Sequence, residues 1–336
     1  MFVELWTSRA FVEEARGWVE EQLRPLGTDL TGDWEQPHAR EWSSAISFET
    51  TDGRVWFKVN GVGTAHEAGL VRELGRLVPG LVPEVLAVDA ERAWTLSRDA
   101  GPTMRSVLSA EKSWEPWERL LARYAEAQLQ LAEHAGVLLA TGTPHLGPSQ
   151  LVTQFHRLAT TLGLLPVDEG GLSDEQRSAL ESRAPAYEAW CRELDATPFG
   201  DTVQHDDLHS NNVCWSGDAA GARFIDWGDA TVSHPFLTLL ATLNSVAFHA
   251  GVLGEDLSFG DDRVLRVRDA YLEPFTAFAD RADLLRWSHI ARRVGCVSRA
   301  MAYEAALSPQ AQAADDFPVR EWLLGLTEEW ATAPLD

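Results

Sequence analysis

Apolar residues recur at helical spacing over residues 9–23 (RAFVEEARGWVEEQL), and Pro25 follows them, which predicts a first helix. Two runs of strand character come next, SSAISFETT and RVWFKV. They are parted by Asp52-Gly53, a dipeptide that signals a tight hairpin. Residues 64–78 return to helical spacing, with Thr64 in place to cap the start and Pro79-Gly80 to end it. EVLAVD and RAWTLS then predict two further strands ahead of Gly101-Pro102. The first hundred residues therefore read as a small α+β unit built on an antiparallel sheet.

Beyond residue 103 the pattern turns helical. A long amphipathic helix is predicted over 113–140, with Ser113 as its cap and Pro116 in its first turn. Another spans 173–196, opened by Ser173 and kinked or broken at Pro185. Residues 234–249, 263–279, 282–307 and 317–331 continue the series, while 141–148 and 308–316 read as loops. One stretch, 198–233, interrupts the helices with two short strand patterns, NVCW and ARFID. No internal repeat or low-complexity tract is present.

The composition narrows the function classes. The chain has 336 residues, 45% of them hydrophobic, and a formal net charge of −23. So acidic a surface repels phosphate backbones, which disfavours nucleic-acid binding. It fits either a solubility role or a cationic small substrate drawn to an acidic cleft. No apolar run reaches the length of a membrane span, and acids stand where a signal peptide carries a basic start, so a cytoplasmic protein is expected. Three scattered cysteines (Cys191, Cys214, Cys296) exclude a disulfide framework and a structural zinc site. Only two lysines, Lys58 and Lys112, stand among 26 arginines, which makes the place of each lysine informative.

The chemistry concentrates in His205-Asp206-Asp207-Leu208-His209-Ser210-Asn211-Asn212, which fits the H-x-D-L-x-x-x-N pattern of a kinase catalytic loop. Phosphoryl transfer needs a carboxylate that orients the attacking hydroxyl and takes its proton, the role of Asp207. It also needs oxygen ligands for Mg2+, and Asn212 offers one on the same loop. Asp226, at the end of ARFID and followed by Trp227-Gly228, is the second. The strand Val55-Trp56-Phe57-Lys58-Val59 supplies the lysine that such an enzyme sets on the α/β-phosphates. The next helix offers Glu67 and Glu73 to hold it, and Glu67, near the helix start, is the expected partner. His205 is read as fixing the loop. Asp229 serves either metal or substrate, or caps the helix that follows. The 14 tryptophans are read as packing residues, as at Trp114 and Trp117.

In motif order and spacing the chain resembles the aminoglycoside phosphotransferase family from about residue 30 to 250. His205, Asp207, Leu208, His209 and Asn212 match the family's H-G-D-L-H-x-x-N, and Ile225, Asp226 and Trp227 match its I-D-W. The resemblance implies a protein-kinase-like, two-lobed α+β fold. Residues 1–100 would form an N-terminal nucleotide-binding lobe led by helix 9–23. Residues 101–336 would form a helical lobe carrying catalytic loop 205–212 and metal segment 225–229. ATP would lie between the lobes, with the backbone around Ser97, Arg98 and Asp99 holding adenine, and a small-molecule hydroxyl would be the acceptor. Departures are Asp206, Ser210 and Asn211 at loop-geometry positions, and the absence of an aspartate from Pro235-Phe236-Leu237. No G-x-G-x-x-G stands near residues 36–44, so backbone amides with the Ser43 and Ser44 hydroxyls become the candidate phosphate contacts there. A non-catalytic binding module of the same fold would be expected to lack one of Lys58, Asp207, Asn212 or Asp226, and all four are present.

Overall fold

The computed structural model describes residues 2–108, 114–252, 260–307 and 317–332. A short helix α1 (Phe2–Trp6) precedes α2 (Arg9–Leu23), which Ser8 caps by accepting from the Phe11 amide. Five antiparallel strands follow: β1 (Leu30–Ala39), β2 (Ser43–Thr50), β3 (Gly53–Asn60), β4 (Val85–Asp89) and β5 (Trp94–Arg98). Their spatial order is β1-β2-β3-β5-β4, with α3 (Glu67–Leu77) between β3 and β4 in the chain.

The alternation within β3 decides which way the lysine points. Val55, Phe57 and Val59 are buried with Ile46, Phe48, Trp94 and Leu96 against Phe11, Trp18 and Val19 of α2. Phe57 sits edge-on to Trp94 at 5.1 Å and to Trp18 at 5.8 Å. Burying an apolar side chain of this size is worth about 1.5–3 kcal/mol, so the register is strongly held. With the odd positions turned to α2, Trp56 and Lys58 must face the opposite side of the sheet.

Several local expectations change in the structure. Thr64 does not cap α3; it closes a 3-10 turn (Val62–Thr64), and its hydroxyl bonds the Trp42 carbonyl. The helix predicted over 113–140 is two helices, α5 (Trp117–Ala132) and α6 (Ala135–Leu139), and Ser113 lies outside the described residues. They follow the single turn α4 (Met104–Val107). After the loop at 141–147 comes a helix that the pattern did not predict, α7 (Pro148–Leu164). Its threonines and valine weaken the local helical signal, and burial of Leu151, Phe155, Leu158 and Leu162 at helical spacing supplies what propensity does not. Pro185 does not break α8 (Asp174–Asp195), which opens on a full Ser173–Gln176 capping box.

NVCW and ARFID pair as β7 (Val213–Cys214) and β8 (Arg223–Phe224). They lie within a second unforeseen pairing of β6 (Thr202–Gln204) and β9 (Thr231–Ser233). There follow α9 (Leu239–His249), α10 (Asp262–Leu272), the long α11 (Arg281–Ala306), α12 (Phe317–Leu324) and, after a 3-10 turn at Gly325–Thr327 that interrupts the helix predicted over 317–331, α13 (Glu329–Thr332). Helix α10 ends earlier than predicted, in a 3-10 turn at Glu273–Ala277 opened by Pro274. The predicted loop at 308–316 lies outside the described residues. Trp117, like Trp227, is wholly buried in the helical region.

The sheet region meets the helical region at several places. The strand connection passes through Asp99-Ala100-Gly101. The Phe224 amide donates to the Leu81 carbonyl, and Arg123 of α5 donates to the Gly80 carbonyl. On the far side, Gly63 lies so close to α11 that a β-carbon there would come within 1.8 Å of the Ala305 carbonyl oxygen. Only glycine fits.

Candidate active site

A cleft of about 520 Å³ opens between the sheet and the helical region, lined by Ser43, Lys58, Glu67, Ser97, Arg98, Asp99, Asp207, Asn212 and Asp226. Ala45, Val71, Val82, Phe224 and Ile225 give it apolar walls. Of the residues singled out in the sequence as candidate phosphate contacts, Ser44 is not among its lining. Ser44 alternates to the other face of β2, where its hydroxyl donates to the His38 carbonyl and accepts from Gln36. It is fully buried and has no path to a ligand in the cleft. The Ser43 hydroxyl shares a 3.2 Å contact with His38 Nε2.

Lys58 Nζ lies 2.8 and 2.6 Å from the two carboxylate oxygens of Glu67 and 2.6 Å from Asp226 Oδ1. Burial works against the charge on Lys58, but Asp226 and Glu67 outweigh it and raise the lysine pKa. Glu67 also accepts from Asn60 Nδ2 at 2.5 Å and from the Trp227 amide at 3.0 Å. This buried carboxylate is therefore satisfied from β3 on one side and the Asp226 segment on the other. Glu73 lies on another face of α3 and pairs with Arg72 and Arg76.

Asp226 follows β8 in the left-handed region, at φ 64° and ψ 62°. Asp206 is also left-handed, at φ 55°. Such backbone costs a non-glycine residue on the order of 1–3 kcal/mol and persists where the surroundings over-determine it. Here they do. The Asp206 amide donates to Gln204 Oε1, and its Oδ2 accepts from Ser298. His205 donates from Nε2 to the Ile225 carbonyl at 2.8 Å, and its ring packs on Trp227 at 4.6 Å. Burial lowers the pKa of His205, so the ring is neutral and structural.

The Asp207 carboxylate is held at both oxygens. His209 Nδ1 accepts from the Asn211 amide, which leaves Nε2–H to face Asp207 Oδ2 at 3.3 Å. Arg299, from α11, lies 3.2 Å from Asp207 Oδ1. Against the upward push of burial, the His209 hydrogen bond and the Arg299 charge bring Asp207 down to about 2. Asp229 does not cap a helix; its Oδ2 accepts from Arg299 at 3.2 Å, and burial pushes its carboxyl up to about 7. Arg299, Ser298, Gln204 and Asn60 were not singled out in the sequence. The one available signal is the run Val294–Ala302, in which Arg299 is the sole charge among small and apolar residues.

The donors present fit Mg2+. Asn212 gives its Nδ2 to the Asp207 carbonyl at 2.9 Å, which leaves Oδ1 for a ligand. Asp226 keeps its second oxygen and a 44% exposed side chain. These are two hard oxygen groups on one cleft, and Mg2+ is characteristically bound by one or two protein oxygens plus phosphates and water. Among the described residues no cluster of three or more His, Cys, Asp or Glu forms an all-protein metal cage.

Residues 36–270 match the sequence model of the phosphotransferase enzyme family. No curated protein matches the chain. Solved structures do. A choline/ethanolamine kinase family protein from Mesorhizobium loti is 17% identical, with 96% of this chain and 95% of that one covered and a TM-score of 0.60. The macrolide 2'-phosphotransferase MphH from Brachybacterium faecium is 17% identical over 93% and 98% of the two chains, with a TM-score of 0.55. A thermostable mutant of the aminoglycoside phosphotransferase APH(4)-Ia, solved in a ternary complex with AMP-PNP and hygromycin B, is 15% identical over 94% and 97%, with a TM-score of 0.55. At these identities the likeness shows the fold, a kinase-like one with a five-stranded antiparallel sheet followed by a mainly helical region.

Proposed function

Because the chain belongs to the phosphotransferase enzyme family, whose members are small-molecule kinases, we propose that it transfers the γ-phosphoryl group of ATP, with Mg2+, to a hydroxyl of a small molecule. The observation that carries the reading is the Lys58–Glu67–Asp226 contact, set on one cleft with Asp207 and Asn212. Lys58, steadied by Glu67, binds the α/β-phosphates. The purine lies between the apolar walls at Ala45, Val71 and Val82, against the backbone of Ser97, Arg98 and Asp99. Ser43 is the side chain of its turn that reaches the phosphates. Asn212 and Asp226 hold Mg2+, which offsets phosphate charge when bound.

Asp207 accepts a hydrogen bond from the acceptor hydroxyl and aims its oxygen at the γ-phosphorus. The new bond joins that oxygen to phosphorus, the bond to the β-phosphate oxygen breaks, ADP leaves, and the hydroxyl proton passes to Asp207. A carboxylate with a pKa of about 2 is a weak base, so its larger contribution is orientation, with proton transfer late in a loose transition state.

The acceptor we favour is amine-bearing: an aminoglycoside, an amino sugar or a choline-like compound. Support comes from the Asp207 carboxylate in the cleft and from the net charge of −23. A choline/ethanolamine kinase family protein and an enzyme crystallised with hygromycin B are among the structural relatives. The test is an ADP-release screen over aminoglycosides, amino sugars, neutral sugars, choline, ethanolamine and homoserine, with Asp207→Ala as the blank. Turnover confined to neutral sugars refutes the amine preference, and turnover that survives in Asp207→Ala refutes the site.

A further inference from the structure

Arg299 has no part in the reaction as set out above, yet its hydrogen-bond and ion-pair partners, Asp206, Asp207 and Asp229, lie on the catalytic loop and the metal segment. It lies near the end of α11 and is 4% exposed. One amino group donates to the Asp206 carbonyl at 3.1 Å and to Asp229 Oδ2 at 3.2 Å, and the other lies 3.2 Å from Asp207 Oδ1. The rings of Tyr303 and Trp322 stand over the guanidinium, 5.2 and 5.7 Å from Cζ to their centroids. The preceding residue, Ser298, donates to Asp206 Oδ2 at 2.7 Å.

Net stability does not account for such a cluster, because the desolvation of buried ions consumes most of their attraction. What a guanidinium supplies is geometry: a planar, always charged fork with fixed donor directions. On Asp207 that geometry has a definite effect. Oδ1 faces Arg299 at 3.2 Å and Oδ2 faces His209 at 3.3 Å, so turning the carboxylate about its own axis gives up both charged contacts. Oδ2 also faces Asn212 Nδ2 at 3.5 Å, Oδ1 keeps a free lone pair, and the side chain remains 30% exposed.

We propose that Arg299 is a positioning residue for phosphoryl transfer: together with His209 it fixes the plane of the Asp207 carboxylate, and with its other amino group it sets Asp229 beside it. The inference rests on the reading of Asp207 as the group that orients the acceptor hydroxyl. It ties the catalytic loop to α11, and α11 also carries the Ala305 backbone that touches Gly63 of the sheet region.

A double-mutant cycle on the full chain tests it. Release of phosphate from magnesium-ATP, with water as acceptor, and ADP release with any acceptor found in the screen are measured for wild type, Arg299→Met, Arg299→Lys, Asp207→Asn, and Asp207→Asn combined with each Arg299 variant. Arg299→Met is expected to lower kcat about 10–100-fold, the scale of a reacting group misplaced by an ångström, with the KM for ATP within about twofold of wild type. Arg299→Lys keeps the charge without the fork and recovers part of that loss. In the Asp207→Asn background neither change lowers kcat by more than about twofold, because the carboxylate that Arg299 places is gone. A loss that persists undiminished in that background, or an unchanged kcat in Arg299→Met, overturns the proposal. Should Arg299→Met fail to fold, the Arg299→Lys arm of the cycle decides by the same criterion. A wild type that turns over neither water nor any screened acceptor refutes the phosphotransfer reading and this proposal with it. A wild-type rate that Arg299→Met leaves intact refutes the positioning role alone.

Discussion

Glu67→Gln is the substitution whose outcome the structure constrains most closely. Glu67 accepts from three different donors, Lys58 Nζ, Asn60 Nδ2 and the Trp227 amide. Glutamine keeps one acceptor oxygen and replaces the other with an NH2. If the NH2 takes the place of Oε1 it meets the Trp227 amide, and if it takes the place of Oε2 it meets Asn60. Either way Lys58 faces a donor at one of its two contacts. One buried donor loses its acceptor, at a cost of about 1–3 kcal/mol. Part of the attraction to Lys58 is also lost, although Asp226 remains as a partner. The expected destabilisation is on the order of 2–4 kcal/mol, read as a drop in Tm of about 3–6 °C. Lys58 then keeps Asp226 and only one of its two contacts to residue 67, so the KM for ATP should rise about tenfold, equivalent to about 1.4 kcal/mol. Glu73→Gln is the control. Its partners are arginines on the surface of α3, and the cost should stay within about 0.5 kcal/mol. Thermal melting and initial-rate kinetics on both variants decide the matter. If Glu67→Gln melts within a degree of wild type with an unchanged KM for ATP, the account of the buried carboxylate is wrong.

Three further outcomes follow from the same geometry. Asp207→Asn should leave AMP-PNP affinity within about twofold while kcat falls on the order of 10²–10⁴-fold, measured by titration and steady-state rates; equal losses in both would move Asp207 out of the proposed role. Asp226→Ala should abolish the magnesium dependence of nucleotide binding while circular dichroism shows the fold retained, and calorimetric titration that still finds magnesium-dependent binding would count against it. His234, 2% exposed, is lowered by burial to about 3, so it folds neutral and gains its proton on unfolding. Its contribution is present above pH 6.5 and is lost as pH falls toward 3, on the order of 3 kcal/mol between pH 7 and pH 4. Denaturant melts of wild type and His234→Asn across that range should converge as pH falls, and parallel curves would refute the assignment.

The site was legible in the sequence where chemistry and periodicity are both local. The period-2 burial of Val55, Phe57 and Val59 leaves Lys58 only one face to occupy, and the position of Glu67 in the first turn of α3 separates it from Glu73. The spacing from Asp207 through Asn212 to Asp226 is set by one loop and one short hairpin. Ser44 was misjudged because the same period-2 rule, applied one residue from Ser43, turns it to the other face of β2. Thr64 looks like a cap in a linear reading, but the chain spends it on a 3-10 turn against Trp42. Arg299 could not be found from spacing, since its partners lie far back in the chain and its one local mark is that it stands as the sole charge among small and apolar residues. Helix α7 was missed for a related reason. Its helical state comes from tertiary burial of four apolar residues rather than from its own propensity.

The setting of Trp227 bears on how such an enzyme can be controlled. Its indole is wholly buried against His205 and Tyr124, its ring N–H is given to the Phe224 carbonyl, and its backbone amide is given to Glu67. To swing Asp226 out of the cleft the chain would have to extract that indole, at a cost of about 3–5 kcal/mol before the lost hydrogen bonds are counted. Less than about one molecule in a hundred would then adopt an inactive arrangement at rest. The segment is thus a fixed part of the machine and not a toggle. Throughput would follow the supply of its two substrates, and a competitive inhibitor would have to fit the assembled cleft, because no vacated indole pocket is there to be trapped.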